Sequence, residues 1–499
     1  MNSRNSINSL DSTNSTNSKE TGQFHTDVVI IGAGPTGLTA AYQLSKLGRQ
    51  TIVLEKAAIV GGIARTENYK GYGVDIGGHR FYTKVSEVEE IWREVLGDNF
   101  LRRRRLSRIY YDNKFFHYPL RFLDSVLKLG PIETFRVGLS YLWIRIRPYP
   151  KEENFEEWVS NRFGRRLFQI FFKTYTEKVW GIPCTEIKAE WAAQRIMDLS
   201  LISAVKDALF KPQKETIKTL INSFHYPRRG PGMLWERVRE LVEARGHRVI
   251  TESDVIEFHL DGRRVRQIVA LNCKQALLIS AEQFISSMPL SELVLKIKPL
   301  PPPEIVRAAQ RLTYRDFLTV ALLVGRDDLF PDNWIYVHSP NVKVGRIQNF
   351  KNWSPDMIPD NQRHSTCIGL EYFCNEDDTL WQMSDDELVA LGRRELAELG
   401  LIGEEDIYDG VVYRQPKAYP VYTGEYQAYL DTLKRYIDSI ENLQTAGRNG
   451  LHKYNNQDHS MLTAMLAVKN ITGENHDLWS VNTERSYHEE IRVSPDSQQ

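Results

Sequence analysis

Near the head of the chain stands an unbroken apolar run, Val28-Val29-Ile30-Ile31. Four β-branched residues without alternation predict a parallel strand buried on both faces. The period then changes. Leu38, Ala41, Leu44 and Leu47 recur on one helical face, and Gly48 follows as a natural stop. Thr51-Ile52-Val53-Leu54 predicts the next strand, which completes a βαβ unit.

Further on, residues 72–83 alternate and then reach the paired glycines Gly77-Gly78, a strand running into a tight bend. Residues 118–149 are rich in Leu, Phe, Trp and Arg, with helical spacing at Phe122, Val126 and Leu129. They predict a pair of core helices, with an amphipathic surface as the alternative. Residues 155–224 read as helical, broken at Gly181 and Pro183. Within them Trp180 reads as core, and Arg195 sits among apolar neighbours where it needs a partner or an anionic ligand. A helix follows Gly230-Pro231-Gly232 to Ala244, and strands over 247–250, 254–258 and 284–289 bring the chain back to the first sheet. Runs at 317–324, 333–338, 345–350 and 367–373 predict an antiparallel sheet, with an amphipathic helix over 383–398. Residues 442–448 form a strand into a glycine bend, and 460–471 a helix whose dipole points at whatever lies beyond Gly447 and Arg448.

The fold class is therefore α/β. A Rossmann-like dinucleotide-binding domain is assembled discontinuously from 26–112, 230–290 and 405–472. An antiparallel-sheet substrate domain covers 291–404, and a helical insertion covers 113–229. Residues 1–23 are mostly Asn, Ser and Thr and predict a disordered tail. Residues 473–499 form a C-terminal tail.

In the 499 residues, 64 Lys and Arg balance 64 Asp and Glu, which removes any global charge argument for nucleic acid. The cysteines Cys184, Cys273, Cys367 and Cys374 make no CxxC pair and no metal-like cluster. Reduced thiols, no metal site and a cytoplasmic location follow as expectations. No stretch has the length of a transmembrane helix, and the Asn/Ser-rich start lacks the apolar centre of a signal peptide. The basic run 101–106 reads as a solvated face, with an anion site or acidic lipid as the alternatives.

Gly32, Gly34 and Gly37 make G-x-G-x-x-G, enclosing Pro35 and Thr36 at the start of the predicted helix. Such a helix start holds a pyrophosphate. Glu55, at the end of the second strand, is placed for a ribose diol, with Lys56 beside it. A second glycine segment, Gly61-Gly62-Ile63-Ala64, follows closely. Val255 and Gly447 complete the candidate cofactor wall with these residues. A plain turn is the competing reading of the glycines, and the ordered series of strand, helix, strand and acid weighs against it.

The segments GAGPTG, GGHRFYT, YTEKVWG, AYPVY and GRNGLHKY occur in this order. They resemble the UDP-galactopyranose mutase family, a branch of the amine-oxidase-like FAD proteins, over roughly residues 27–471. The resemblance implies non-covalent FAD, used in its reduced form, with NAD(P)H as a candidate reductant. It places Gly61, Gly62, Ala64, Gly78 and His79 at the flavin, with Arg448 and Tyr454 also on the cofactor. Trp180 and Tyr175 then border the sugar, Arg195 and Arg346 manage the substrate, and Tyr419 and Tyr454 bind the diphosphate. The implied catalytic set is Arg195, Arg346, Trp180 and His79. The implied reaction is pyranose/furanose isomerisation of a diphosphate-activated sugar in polysaccharide or envelope biosynthesis, with reduced flavin as nucleophile. Consistently, no Ser/His/Asp or Cys/His arrangement stands out. Two positions depart from the family: Asn456 replaces an acid, with Asp458 two residues on, and Tyr226 is only a candidate for the base-stacking tyrosine. The rival reading is an FAD oxidoreductase of the amine-oxidase or protoporphyrinogen-oxidase type, in which 118–149 touches a membrane peripherally. A non-catalytic flavin-binding protein is the third. The sequence leaves the oligomeric state open.

Overall fold

The computed structural model describes residues 22–118, 120, 122–189, 219–220, 223–422, 424–482 and 490–491. The βαβ unit is formed by strand Gly22–Ile31, helix Pro35–Lys46 and strand Thr51–Leu54. Val28, Val29 and Ile30 are fully buried, as an apolar run without alternation requires. The helix begins at a proline, whose missing N–H costs nothing there, and Gly48 follows its end at φ +70°. The first strand starts earlier than composition suggested. Gly22 and Gln23, read as tail, pair with Leu277 and Leu278, because the long strand Gln275–Ser286 offers partners that far back. The rest of the predicted N-terminal tail lies outside the described residues.

This unit sits in an eight-stranded sheet. Arg248–Ile250, Thr51–Leu54, Gly22–Ile31 and Gln275–Ser286 run parallel in that order, and Leu443–Thr445 also pairs with Gln275–Ser286. Arg264–Asn272 and Ser253–Asp261 then extend the sheet antiparallel. Helices Pro35–Lys46, Gly232–Ala244 and Gln457–Ile471 cover one face around Leu38, Leu44, Trp235 and Met461. The other face buries Phe258, Ile268, Ile279 and Phe284 with Leu433 and Ile437 of helix Tyr426–Asp438. Each such side chain contributes about 1.5–3 kcal/mol when fully buried.

The second sheet has seven strands, in the order Ile407–Pro420, Tyr314–Val324, Thr366–Cys374, Arg346–Asn349, Trp334–Val337, Ser107–Tyr111 and Lys114–His117. Its neighbours are antiparallel except Trp334–Val337 with Ser107–Tyr111. Leu318, Val320 and Leu322 face helix Asp385–Glu398, while Ala321 and Leu323 face Trp353 and Phe350. Both faces are covered, so the strand reads as continuous apolar sequence. Three strands join this sheet although their sequence neighbours predicted otherwise: Ser107–Tyr111 and Ile407–Pro420 were grouped with the nucleotide-binding segments, and Lys114–His117 with the helical insertion.

The helical stretch ends earlier than 224. Ser223–Pro227 is a strand paired antiparallel to Phe100–Arg104. The basic run is thus an alternating strand rather than one solvated face. Arg102 and Arg104 are exposed, Arg103 donates to the Asn352 carbonyl at 3.1 Å, and Arg105 lies over the Trp334 ring at 5.5 Å.

The expectation of a core helix pair at 118–149 is corrected. Helices Phe122–Leu129 and Pro131–Ile146 form, but only one stripe of the second turns inward. Val137 packs with Phe116, Ile170 and Phe171, while Phe135, Leu139 and Trp143 are exposed. The sequence carries two apolar stripes on one helix, and the domain beneath has room for one. Among the described residues, no helix is long and apolar enough to cross a membrane.

Candidate functional site

A cleft of about 1100 Å³ draws its lining from both sheets. It is lined by Gly32, Gly34, Pro35, Thr36, Glu55 and Lys56, with Gly62, Ala64 and Val255, by Gly78 and His79, and by Arg346, Tyr419, Arg448 and Tyr454. Gly37, Gly61 and Gly447 do not reach its surface; they build the wall behind it. A Cβ on Gly37 would stand 1.8 Å from the Gly32 carbonyl oxygen, so only glycine lets the helix close on the turn. Gly61 donates its N–H to the Ala33 carbonyl at 2.8 Å. A Cβ on Gly447 would meet Thr36 Oγ1 at 2.2 Å.

These residues fit a dinucleotide. The twelve-residue helix Pro35–Lys46 opens onto the cleft with no acid in its first turn, so its positive end is available to an anion. Gly34 and Gly62 face one another there, and a Cβ on Gly34 would come within 3.7 Å of the Gly62 Cα. Glu55 is fixed at the glycine turn: Oε2 accepts from the Ala33 N–H at 2.6 Å and Oε1 from the Ala57 N–H at 2.9 Å.

His79 Nε2 lies 2.7 Å from the Ile63 carbonyl and 3.1 Å from the Ile76 carbonyl. Two acceptors assign the proton to Nε2. Burial, then the charges of Arg448 and Arg346, push its pKa down to about 3. The ring is therefore neutral at ordinary pH. Arg448 is pinned by the Asn455 carbonyl at 2.9 Å and the Ala418 carbonyl at 3.1 Å. Its guanidinium stands 5.3 Å from the Tyr419 ring and 5.1 Å from the Tyr454 ring. Those two rings stack on each other, 5.7 Å apart and 12° from parallel. Burial raises the Tyr419 pKa, with Arg346 opposing, so the phenol keeps its proton.

Arg346 binds Glu371 through Nε and Nη2, and Gln348 Nε2 donates to the other Glu371 oxygen. Glu371 is fully buried. Its charge holds Arg346 ionised against burial. Glu371 escaped the sequence reading. Its signal was there: one carboxylate inside the nine-residue strand TCIGLEYFC, every residue of which is buried. A charge in such a run requires a partner. The cleft lining also includes Gln348, Trp334, Tyr336 and Asp458, none of which was predicted at the site.

The remaining expected residues fall into three groups. Tyr175 is one layer behind the wall, stacked on His338 at 5.0 Å and edge-on to Tyr336 at 5.4 Å. Trp180 is buried with Phe155, Cys184 and Ile187, 6.4 Å from the Tyr422 ring, and does not line the cleft; Tyr454 packs against this cluster. Arg195 lies outside the described residues. The base-stacking candidate Tyr226 is corrected. It is fully buried, its hydroxyl donates to Asp75, and its ring packs on Trp353 at 5.1 Å. Strand alternation turns it inward, and burial lifts the Asp75 pKa to about 7. Asn456 is the N-cap of helix Gln457–Ile471, which begins three residues before the predicted 460 and brings Asp458 to the cleft. Among the described residues, no group of three or more His, Cys, Asp or Glu is placed to hold a metal ion.

Comparison with known proteins agrees with this architecture. A reduced UDP-galactopyranose mutase superposes with a TM-score of 0.78 at 21% identity, covering 92% of this chain and 98% of that one. An oxidoreductase from Methanosarcina mazei gives 0.59 at 14% identity, over 88% and 100%. Putrescine oxidase bound to putrescine gives 0.58 at 14%, over 91% and 100%. An uncharacterised protein from the nifH2 3′ region of Methanothermococcus thermolithotrophicus is 50% identical over 16% of this chain and 89% of its own length. A thiamine thiazole synthase from Saccharolobus islandicus is 42% identical over 14% of this chain, a match spanning 23% of that enzyme. The model of the flavin-containing amine oxidoreductase family matches residues 35–452, from the first helical residue after the glycine turn to His452 beyond Arg448. A match of that extent, on a fold whose dinucleotide cleft opens onto arginines and tyrosines, makes the chain a member of the flavin-containing amine oxidoreductase family.

Proposed function

We propose that the protein is an FAD enzyme acting on a diphosphate-activated sugar, interconverting its pyranose and furanose forms in polysaccharide or envelope biosynthesis. The observation that carries this reading is that Arg346, Arg448, Tyr419 and Tyr454 line one cleft with the Gly78-His79 bend. A diphosphate leaving group concentrates negative charge. Guanidinium forks and protonated phenols offer it directed donors without bulk water. A guanidinium has five N–H donors, and Glu371 engages Arg346 at two of its nitrogens. His79, neutral with Nε2–H committed to two carbonyls, shapes the wall and does not serve as an acid from that nitrogen. FAD, when bound and reduced by NAD(P)H, would supply the nucleophilic electron pair. The similarity to UDP-galactopyranose mutase supports the reading. Photoreduced protein incubated with nucleotide sugars should yield furanose product and a trappable flavin–sugar adduct. Neither appearing with any sugar tested would remove the proposal.

One observation favours a second reading, an FAD oxidoreductase. The Arg346 charge is already balanced by Glu371, and Trp334, Tyr336 and Trp353 give the cleft an aromatic wall suited to an amine or apolar substrate. Anaerobic bleaching of bound FAD by amines, without sugar turnover, would select it.

A further inference from the structure

We propose that helix Pro131–Ile146, together with Leu127 of the preceding helix, docks the protein on an anionic phospholipid surface. Leu127 is 81% exposed, and on the longer helix Ile132, Phe135, Leu139, Leu142, Trp143 and Ile146 are between 51% and 75% exposed. Their spacing of three and four residues makes one stripe along the helix. They dominate the large apolar side chains that the described surface exposes: seven of twelve fall within residues 127–146. Single exposed apolar residues need no explanation, whereas a contiguous stripe marks an interface.

The charge around the stripe says what covers it. Arg136, Arg145 and Arg147 are exposed on or beside the helix. The helix has one acid, Glu133, and it is engaged by Arg166 and Arg136. Arg147 lies over the Trp143 ring at 5.1 Å, and Arg165 over the Tyr149 ring at 5.0 Å. An apolar ridge with tryptophan and a rim of arginines suits the boundary between acyl chains and anionic headgroups. A second copy suits it poorly. Two-fold pairing of this face would set arginine against arginine, with the one acid of the helix, Glu133, already engaged by Arg166 and Arg136. The local excess of cations is not a property of the whole chain, whose net charge is zero.

The geometry allows a helix lying in the membrane plane. Sixteen residues are too few to cross a bilayer comfortably. The inner side is anchored to the domain: Val137 packs on Phe171, the Arg166 N–H donates to Ser140 Oγ at 3.0 Å, and Glu133 binds Arg166. Tyr336, which lines the cleft, packs against the same apolar cluster. The docking face therefore stands one layer from the site, and this argument holds whichever reaction the site performs.

The test is co-sedimentation of the full-length FAD-loaded protein with vesicles of phosphatidylcholine, with and without phosphatidylglycerol. Binding should be on the order of ten-fold tighter with phosphatidylglycerol and should weaken in high salt. Phe135→Ser/Leu139→Ser/Trp143→Ser should abolish it, and Arg145→Glu/Arg147→Glu should remove the preference for the anionic lipid. Both variants change exposed side chains, so FAD content and melting temperature serve as folding controls. No binding to the anionic vesicles, or binding untouched by either variant, would overturn the proposal. So would a wild-type dimer in sedimentation velocity that the serine variant converts to monomer, because a second copy would then be the occupant.

Discussion

Arg346 and Glu371 stand opposite each other on neighbouring antiparallel strands and close an ion pair in the wall of the cleft. Register alone brings them together, and Gln348, two residues along on the same face, secures the second carboxylate oxygen. The arginine therefore has two duties, neutralising a buried acid and facing the cleft. Removing one partner leaves the other charged and buried, which costs about 3–5 kcal/mol. Arg346→Met should lower the urea midpoint of FAD-loaded protein accordingly, and Arg346→Met/Glu371→Met should recover most of the loss. A single variant as stable as the parent would refute the pairing. Arg346→Lys keeps the charge but loses the planar fork, so substrate binding should fall while FAD stays bound.

Glu55 is predicted to hold the cofactor through charge-assisted hydrogen bonds. Each is worth about 1.5–3 kcal/mol, so Glu55→Ala should weaken FAD binding by roughly 10- to 150-fold for each bond lost. Its loss also releases the Ala33 N–H of the glycine turn. Acid precipitation of the parent protein should leave the flavin in the supernatant; colour in the pellet would show a covalent link.

Glycine substitutions should separate close packing from backbone preference. Gly37→Ala drives a methyl group into the Gly32 carbonyl and should abolish FAD loading. Gly48 has φ +70° with nothing within 4 Å of an added Cβ, so Gly48→Ala should cost only about 1–2 kcal/mol of backbone strain. Equal effects in thermal melts and flavin content would contradict this assignment of roles.

Stability should fall with acidification between about pH 6.5 and 4.5. Burial depresses His79 and His338 to about 3 and His452 to about 4 in the folded protein. Over this window the unfolded chain takes up protons at these three positions and the folded one does not, so stability is lost as pH falls. Asp75 opposes them: raised to about 7, it keeps its proton when folded and has lost it when unfolded. The net difference from these four groups approaches about two protons. Urea midpoints at the two ends of the range should show the drop, and His338→Gln should reduce its slope by about one proton. A flat profile in the parent protein would sink the assignment.

Much of the nucleotide half was legible in the sequence, because its signals are local. The run Val28–Ile31, the glycines and the helix periodicity up to Gly48 depend on neighbours within a few residues, and strand Thr51–Leu54 lies where the pattern put it. The resemblance likewise singled out Arg346, Tyr419, Arg448 and Tyr454, which meet in one cleft although they lie up to 108 positions apart. What the sequence could not decide was direction. Glu371 is invisible as a site residue until strand register sets it against Arg346. Tyr226 sits in a stretch suited to a pocket, yet strand alternation turns it into the core. The apolar residues of Pro131–Ile146 read as core because periodicity reports that a face is apolar, not whether anything lies against it. Side-chain chemistry and local period are properties of the chain, whereas which face meets a neighbour depends on contacts between distant segments, and only the folded structure supplies those.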